Sequence, residues 1–138
     1  MTTGHIPASL QRRVRLRASE RCEYCRIAQV GQEATFHVDH VMPQAAGGAT
    51  SLENLALACV SCSLRKGART TAIDPGTGDA AQLFHPRVHA WNDHFLADVS
   101  GEILGLTAIG RATIASLSMN RVLAVAIRYE ERARDRWP

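Results

Sequence analysis

Between Ala8 and Ala18 apolar side chains recur at i, i+4 intervals, with Leu10, Val14 and Ala18 on one face and arginines over most of the rest. A period near 3.6 with Pro7 directly ahead of it predicts a short amphipathic helix. From Thr35 to Val41 the period changes to two and β-branched residues take over, which predicts a strand that Pro43 ends. Gln44 to Thr50, with Gly47 and Gly48, reads as a loop. Ser51 can cap a short helical turn through Leu57, and Ser63 to Lys66 reads as helix.

Beyond Ile73 the texture changes. Asp74, Pro75, Gly76 and Gly78 predict turns, while Trp91 to Val99 and Glu102 to Thr107 predict two hairpin arms joined across Ser100 and Gly101. Thr107 is placed to cap a helix through Leu117. Asn120 is placed to cap a last helix to about Arg136, with Leu123 and Ile127 on one face and a Glu130 to Arg134 pair outside. No internal repeat, low-complexity run or clear linker interrupts residues 1–138, so the pattern is that of one domain with a C-terminal extension.

Composition adds a constraint. The chain has 138 residues, 46% hydrophobic but only 5% aromatic, so the core rests on Ala, Val, Leu and Ile and calls for a metal or disulfide staple. The longest apolar stretches, such as Val122 to Ile127, are far too short to span a bilayer, and the Met-Thr-Thr-Gly-His start lacks the regions of a signal peptide. The expectation is a cytoplasmic protein with no membrane partner. In a reducing compartment two Cys-x-x-Cys pairs point to metal before disulfides.

Charge matters by its placement. The formal net charge is +3, with Arg12, Arg13, Arg15, Arg17 and Arg21 crowded into the first segment, Arg65, Lys66 and Arg69 after the second cysteine pair, and no basic residue between Arg26 and Arg65. Four thiolates around zinc would leave net negative charge that this count omits. A basic patch is supported and a generally basic protein is not. Arg12, Arg13, Arg15, Lys66 and Arg69 are the candidates for phosphate contact, with a solvated face as the competing reading.

Cys22, Cys25, Cys59 and Cys62 carry the strongest chemical signal. A two-residue spacer lets one turn present two sulfurs, and two such pairs make a closed tetrahedral zinc site with no position left for substrate. A redox dithiol or four buried apolar cysteines are the alternatives. Between the pairs lie His37-Val38-Asp39-His40, Gly47-Gly48 and Asn54-Leu55. A carboxylate beside a histidine on a strand points one group at a hard cation and the other at water.

The ordered run Arg21-Cys22-Glu23-Tyr24-Cys25, Asp39-His40, Pro43, Gly47-Gly48, Asn54-Leu55, Cys59-x-x-Cys62 and Lys66-Gly67 resembles the HNH endonuclease family. The resemblance covers about residues 18–69. It implies an α+β fold: a ββα-metal core with a structural zinc, a short N-terminal helix, and a hairpin-plus-helices extension over about 73–138. That extension, with Leu83-Phe84-His85-Pro86-Arg87, Trp91, His94-Phe95 and Gly110-Arg111-Ala112-Thr113, is similar to one carried by a subgroup of bacterial HNH proteins.

The resemblance also implies roles. His40 would be the general base, Asp39 a ligand to Mg²⁺ or a similar divalent ion, and Asn54 the residue that ties the loop back so that His40 keeps its orientation. The third motif position, usually His or Asn in this family, is Ser63 here, a weaker ligand than imidazole. His37, on the same strand face as Asp39, is an alternative ligand, as are His85 and His94 from the extension. The expected activity is metal-dependent hydrolysis of DNA. Two competing readings are a zinc-stapled nucleic-acid-binding module that has lost catalysis through Ser63, and a redox or chaperone protein using its Cys-x-x-Cys pairs.

Overall fold

Helix α1 (Ala8–Arg17) forms where the i, i+4 pattern placed it. Val14 is fully buried and Leu10 packs partly buried against the core, while Leu16 on another face stays exposed. The structure, a computed structural model, describes residues 5–138; the leader expected to be absent from the first residues lies largely outside them.

Strand β1 (His37–His40) is the centre of the predicted strand, and it pairs antiparallel with β2 (Leu55–Ala58) in the register His37 to Ala58 and His40 to Leu55. The helical turn expected from Ser51 to Leu57 is corrected here: one turn of 3-10 helix spans only Leu52–Asn54, and the chain then runs straight into β2. All four β2 residues are buried, so the strand carries no polar alternation, and its Leu-Ala composition favours helix locally. Packing overrides that preference. Helices α1 and α2 (Val60–Lys66) both lie against the β1–β2 hairpin.

The second edge of β2 is satisfied by side chains and by the first cysteine turn. Glu23 donates its main-chain N–H to the Leu57 carbonyl at 2.8 Å and accepts the Leu57 N–H on its carboxylate at 2.9 Å. The Leu55 carbonyl accepts from Arg17 at 2.7 Å and from Arg87 at 3.4 Å. A two-stranded sheet therefore leaves few orphan backbone groups at this edge.

The extension packs onto this unit. Where the sequence indicated only turns, β3 (Thr71–Ile73) and β4 (Ala80–Gln82) form a hairpin around the Asp74 to Gly78 turns. The second hairpin forms across Ser100 and Gly101 with shorter arms than expected, β5 (Phe95–Ala97) and β6 (Ile103–Gly105). Residues Trp91–His94 make a helical turn, α3, instead of strand. The reason is Trp91, which is buried and donates its indole N–H to the Tyr24 carbonyl at 2.7 Å, fixing the chain before β5 begins. Gly101 has φ +92°, and a Cβ there would lie 2.5 Å from the Val125 carbonyl oxygen. Only glycine suits that turn.

Helix α4 (Ala108–Ser116) is capped as expected, with Thr107 Oγ1 accepting the Gly110 N–H at 3.1 Å. The last helix, α5, spans Val122–Ala133, and Asn120 does not cap it. The Asn120 amide instead clasps the edge of β6, accepting from Ile103 N at 2.8 Å and donating to Ile103 O at 2.7 Å. Leu123 is 65% exposed, and the buried face of α5 is Ala124, Arg128 and Glu131. Arg128 donates to the Gly101 carbonyl at 2.7 Å and lies over the Trp137 ring. The ion pair near this end joins Glu131 to Arg136, and Glu130 and Arg134 are both exposed without the expected bridge. A polar clasp has taken the place that an apolar stripe was expected to fill.

One contiguous core joins the two halves, running from Val14 through the cysteines, Leu55, Leu57, Phe84, Trp91, Phe95, Ile103 and Leu117 to Trp137. No helix among the described residues is long and apolar enough to cross a membrane.

Asp74 locks the first hairpin to α4. Its side chain is inaccessible to solvent and accepts two bonds from Arg111 at 2.9 Å, one from the Gly76 N–H at 2.8 Å and one from the Thr77 hydroxyl at 3.0 Å. The Arg111 guanidinium, helped by the Gly76 and Thr77 donors, holds this carboxyl well below the usual carboxylate range. A depressed folded-state pKa stabilises the fold fully above the unfolded value of about 4, and the contribution fades as the pH falls towards the depressed value. Asp74→Asn is thus expected to lower the melting temperature at pH 7, with the gap to wild type narrowing at pH 3. Thermal unfolding at the two pH values checks this, and a gap that does not depend on pH contradicts it.

Candidate functional site

The first cysteine pair sits in the turn after α1 and the second opens α2. In each, the sulfur of the first cysteine accepts the backbone N–H of the second, Cys22 from Cys25 and Cys59 from Cys62, both at 3.4 Å. The four ligand atoms lie within 4.8 Å of one another, and Cys25 and Cys59 approach to 3.8 Å. A tetrahedron with Zn–S bonds of about 2.3 Å has edges of about 3.8 Å, so the donor set fits zinc. All four side chains are buried and none forms a disulfide.

The sulfurs converge on one point, an arrangement for metal and not for two separate dithiols. Burial pushes the Cys22 thiol up, its neighbouring sulfurs and burial raise Cys62, and the bonds donated to Cys59 pull that group down. Competition of this kind for charge is resolved when a divalent cation takes all four sulfurs. The cluster is a structural metal site of the kind zinc occupies.

The remaining polar residues meet along β1 and α2. Asp39 and His37 lie on one strand face, two residues apart, and Ser63 and Lys66 lie on one helix face, three apart. The two rows form rungs: His37 Nδ1 to Ser63 Oγ at 2.9 Å, and Asp39 Oδ2 to Lys66 Nζ at 3.4 Å. Asp39 Oδ2 is buried and makes no hydrogen bond among the described residues. Burial pushes its carboxyl above the ordinary value, against the pull of Lys66, His40 and His37. Asp39, His40 and Ser63 line one cleft of about 320 Å³, together with Pro43, Gln44 and Gly67. An acceptor oxygen with spare capacity, a hydroxyl and an imidazole suit a hard or intermediate divalent cation.

His40 is buried, and its Nε2 is 2.8 Å from Thr50 Oγ1. Asn54 accepts from Met42 N at 2.9 Å and donates to Met42 O and Ala49 O, each at 2.9 Å, so one amide closes the loop from 42 to 49. Gly48 belongs to the same closure, since a Cβ there would sit 1.8 Å from the Met42 carbonyl oxygen. His85 and His94 do not line the cleft: the His85 ring accepts from Arg87 N at 3.2 Å, and His94 bonds Thr107 at 2.7 Å. Sequence reasoning missed Thr50, whose hydroxyl carried no motif signal.

The expected phosphate-contact set is divided by the structure. Lys66 is 1% exposed and donates to the His40 carbonyl at 3.2 Å, so it is corrected from a surface cation to a buried one. Its place three residues after Ser63 turns it toward β1 instead of solvent. Arg15 is partly buried and donates to the Phe36 carbonyl at 2.8 Å, tying α1 to the segment that leads into β1. Arg12, Arg13 and Arg69 are exposed.

Purified protein is expected to contain one zinc per chain, and Cys59→Ser to lose it together with most of the fold, since structural zinc contributes on the order of 10 kcal/mol. Elemental analysis and circular dichroism check this. Zinc-free protein with four freely titrating thiols in the native state is the contrary result.

Residues 22–69 match the family described as HNH endonuclease. No curated protein and no solved structure gives a significant match. The matched segment begins at the first zinc-type cysteine, includes both cysteine pairs and β1, β2 and α2, and ends just after Lys66. By that match residues 22–69 are similar to the HNH endonucleases, a nuclease family, and the four cysteines gathered around a single metal position all lie within the matched segment.

Proposed function

We propose that the protein is a metal-dependent endonuclease that hydrolyses phosphodiester bonds in DNA, with His40 as general base and Asp39 as the principal ligand of a divalent cation such as Mg²⁺. The observation that carries this reading is the convergence of Asp39, His40 and Ser63 on one cleft, with a buried Asp39 oxygen that faces Lys66 at 3.4 Å and makes no hydrogen bond among the described residues. When bound, the cation polarises the phosphate and stabilises the leaving oxygen.

The chain's own groups supply the rest. With Nε2 engaged by Thr50, His40 keeps Nδ1 to take a proton from an attacking water. Asn54 is a positioning residue, closing the loop that carries Thr50 towards His40. Ser63 holds the His37 ring through Nδ1, which leaves the other ring nitrogen of His37 to join Asp39. The Lys66 ammonium offsets the Asp39 charge before any cation arrives and competes with it, so metal binding is weak.

That internal cation is also the observation that favours the second reading, a zinc-stapled binding module with impaired catalysis. Plasmid cleavage with added Mg²⁺ or Mn²⁺ separates the two. His40→Ala is expected to lose about 10² to 10⁴ in rate with zinc content and melting temperature near wild type. His37→Ala is expected to raise the metal concentration for half-maximal cleavage more than Ser63→Ala does, and Asp39→Ala more than either. A His40→Ala protein that cleaves at the wild-type rate removes the assignment of the base. Absence of cleavage by wild type with any divalent metal leaves the binding-module reading.

A further inference from the structure

A second concavity, of about 590 Å³, opens on the other side of the cysteine turn. Arg17, Arg21, Arg26, Trp91 and Asn92 line it. None of these three arginines pairs with a carboxylate among the described residues. Glu23, the acidic side chain in the lining, pairs with Arg87 and accepts the Leu57 N–H, and its charge also acts on Arg17 and Arg26 without an ion pair to either.

The guanidiniums are held in place by neutral acceptors. Arg17 donates to the Leu52 and Leu55 carbonyls at 2.8 and 2.7 Å, and Arg21 to the Arg26 and Arg136 carbonyls at 3.2 and 2.5 Å. Arg26 lies 4.9 Å over the Trp91 ring, and its Nε is buried with no hydrogen-bond partner among the described residues. The Arg26 backbone has φ +69°, a left-handed conformation directly after the Cys22–Cys25 turn.

Guanidiniums held by carbonyls or by the Trp91 ring, with no carboxylate at ion-pair distance among the described residues, form a preorganised site for a planar or tetrahedral oxyanion. We infer that this pocket binds a phosphate group, supplied by the nucleic-acid strand outside the cleavage cleft. The phosphate chemistry stands on the pocket itself, and the strand as its source rests on the nuclease reading. Arg17 and Arg21 belong to the arginine-rich first segment, and they line the same concavity as Arg26, whereas Arg12 and Arg13 do not.

The test uses zinc-loaded protein without added divalent metal, so that binding is read apart from cleavage. Inorganic phosphate is titrated by calorimetry, and a fluorescent DNA duplex by anisotropy over a range of salt concentrations. Arg26→Gln removes the central charge. Asn92→Glu places a carboxylate on the exposed rim without touching the core and serves as the second variant, and zinc content and melting temperature verify the fold of each. Both variants are expected to lose phosphate binding and to weaken duplex binding about tenfold. Arg26→Gln is also expected to reduce the salt slope by about one.

Loss of phosphate binding with duplex affinity unchanged keeps the phosphate pocket and overturns the strand as its source, leaving a small phosphorylated ligand. No phosphate binding by wild type, with duplex affinity equal in all three proteins, overturns the inference. Neither result bears on plasmid cleavage. A protein that binds duplex through Arg26 but never cleaves sinks the nuclease reading and leaves the pocket.

Discussion

Four sulfurs closing on one metal position hold together segments that have little else to bind them. Cys22 and Cys25 lie 34 residues or more before Cys59 and Cys62, and with few aromatics available the intervening strands have only a thin core. Tying the first turn to the N-terminus of α2 sets the separation between α1, the hairpin and α2. On that separation depend both the His37–Ser63 and the Asp39–Lys66 rungs. A structural zinc site of this kind contributes on the order of 10 kcal/mol, comparable with the whole net stability of a small domain.

The extension is built around the same turn. Trp91 donates its indole N–H to the Tyr24 carbonyl at 2.7 Å, and Trp137, 46 residues later, donates to the Cys25 carbonyl at 3.0 Å. Both rings are buried, so each combines a large apolar contact with one directed bond to the main chain beside a metal ligand. The last helix approaches through Arg128, whose guanidinium spans the Gly101 turn, Asn120 and the Trp137 ring. The extension thus braces the metal turn from behind, a role that its sequence did not disclose.

The electrostatics of the two concave sites differ in kind. In the cleft, one half-buried carboxylate faces one buried ammonium, and a cation held there would share Asp39 with Lys66. In the arginine-lined pocket, positive charge is fixed by carbonyl groups that cannot neutralise it. The first arrangement is an internal ion pair, and the second is a group of cations with no carboxylate at ion-pair distance among the described residues.

Much was legible in the residues themselves. Zinc coordination requires particular atoms at particular spacings, so the two Cys-x-x-Cys pairs announced the metal site before any fold was known, and with Asp39-His40 and Asn54 they carried the resemblance to the HNH endonucleases. The α1 face, the strand around Asp39 and the Thr107 cap also follow from local rules, because periodicity and capping act within a few residues. Tertiary packing alone decided the rest. Strand β2 reads as helix until both faces of Leu55–Ala58 are covered, Asn120 leaves its helix for the edge of β6, and Lys66 turns inward because Asp39 lies across from it. The grouping of Arg17, Arg21 and Arg26 likewise depends on how the first turn sits against α1 and Trp91. These outcomes depend on partners distant in sequence, and neither propensity nor spacing contains the distances that bring such partners together.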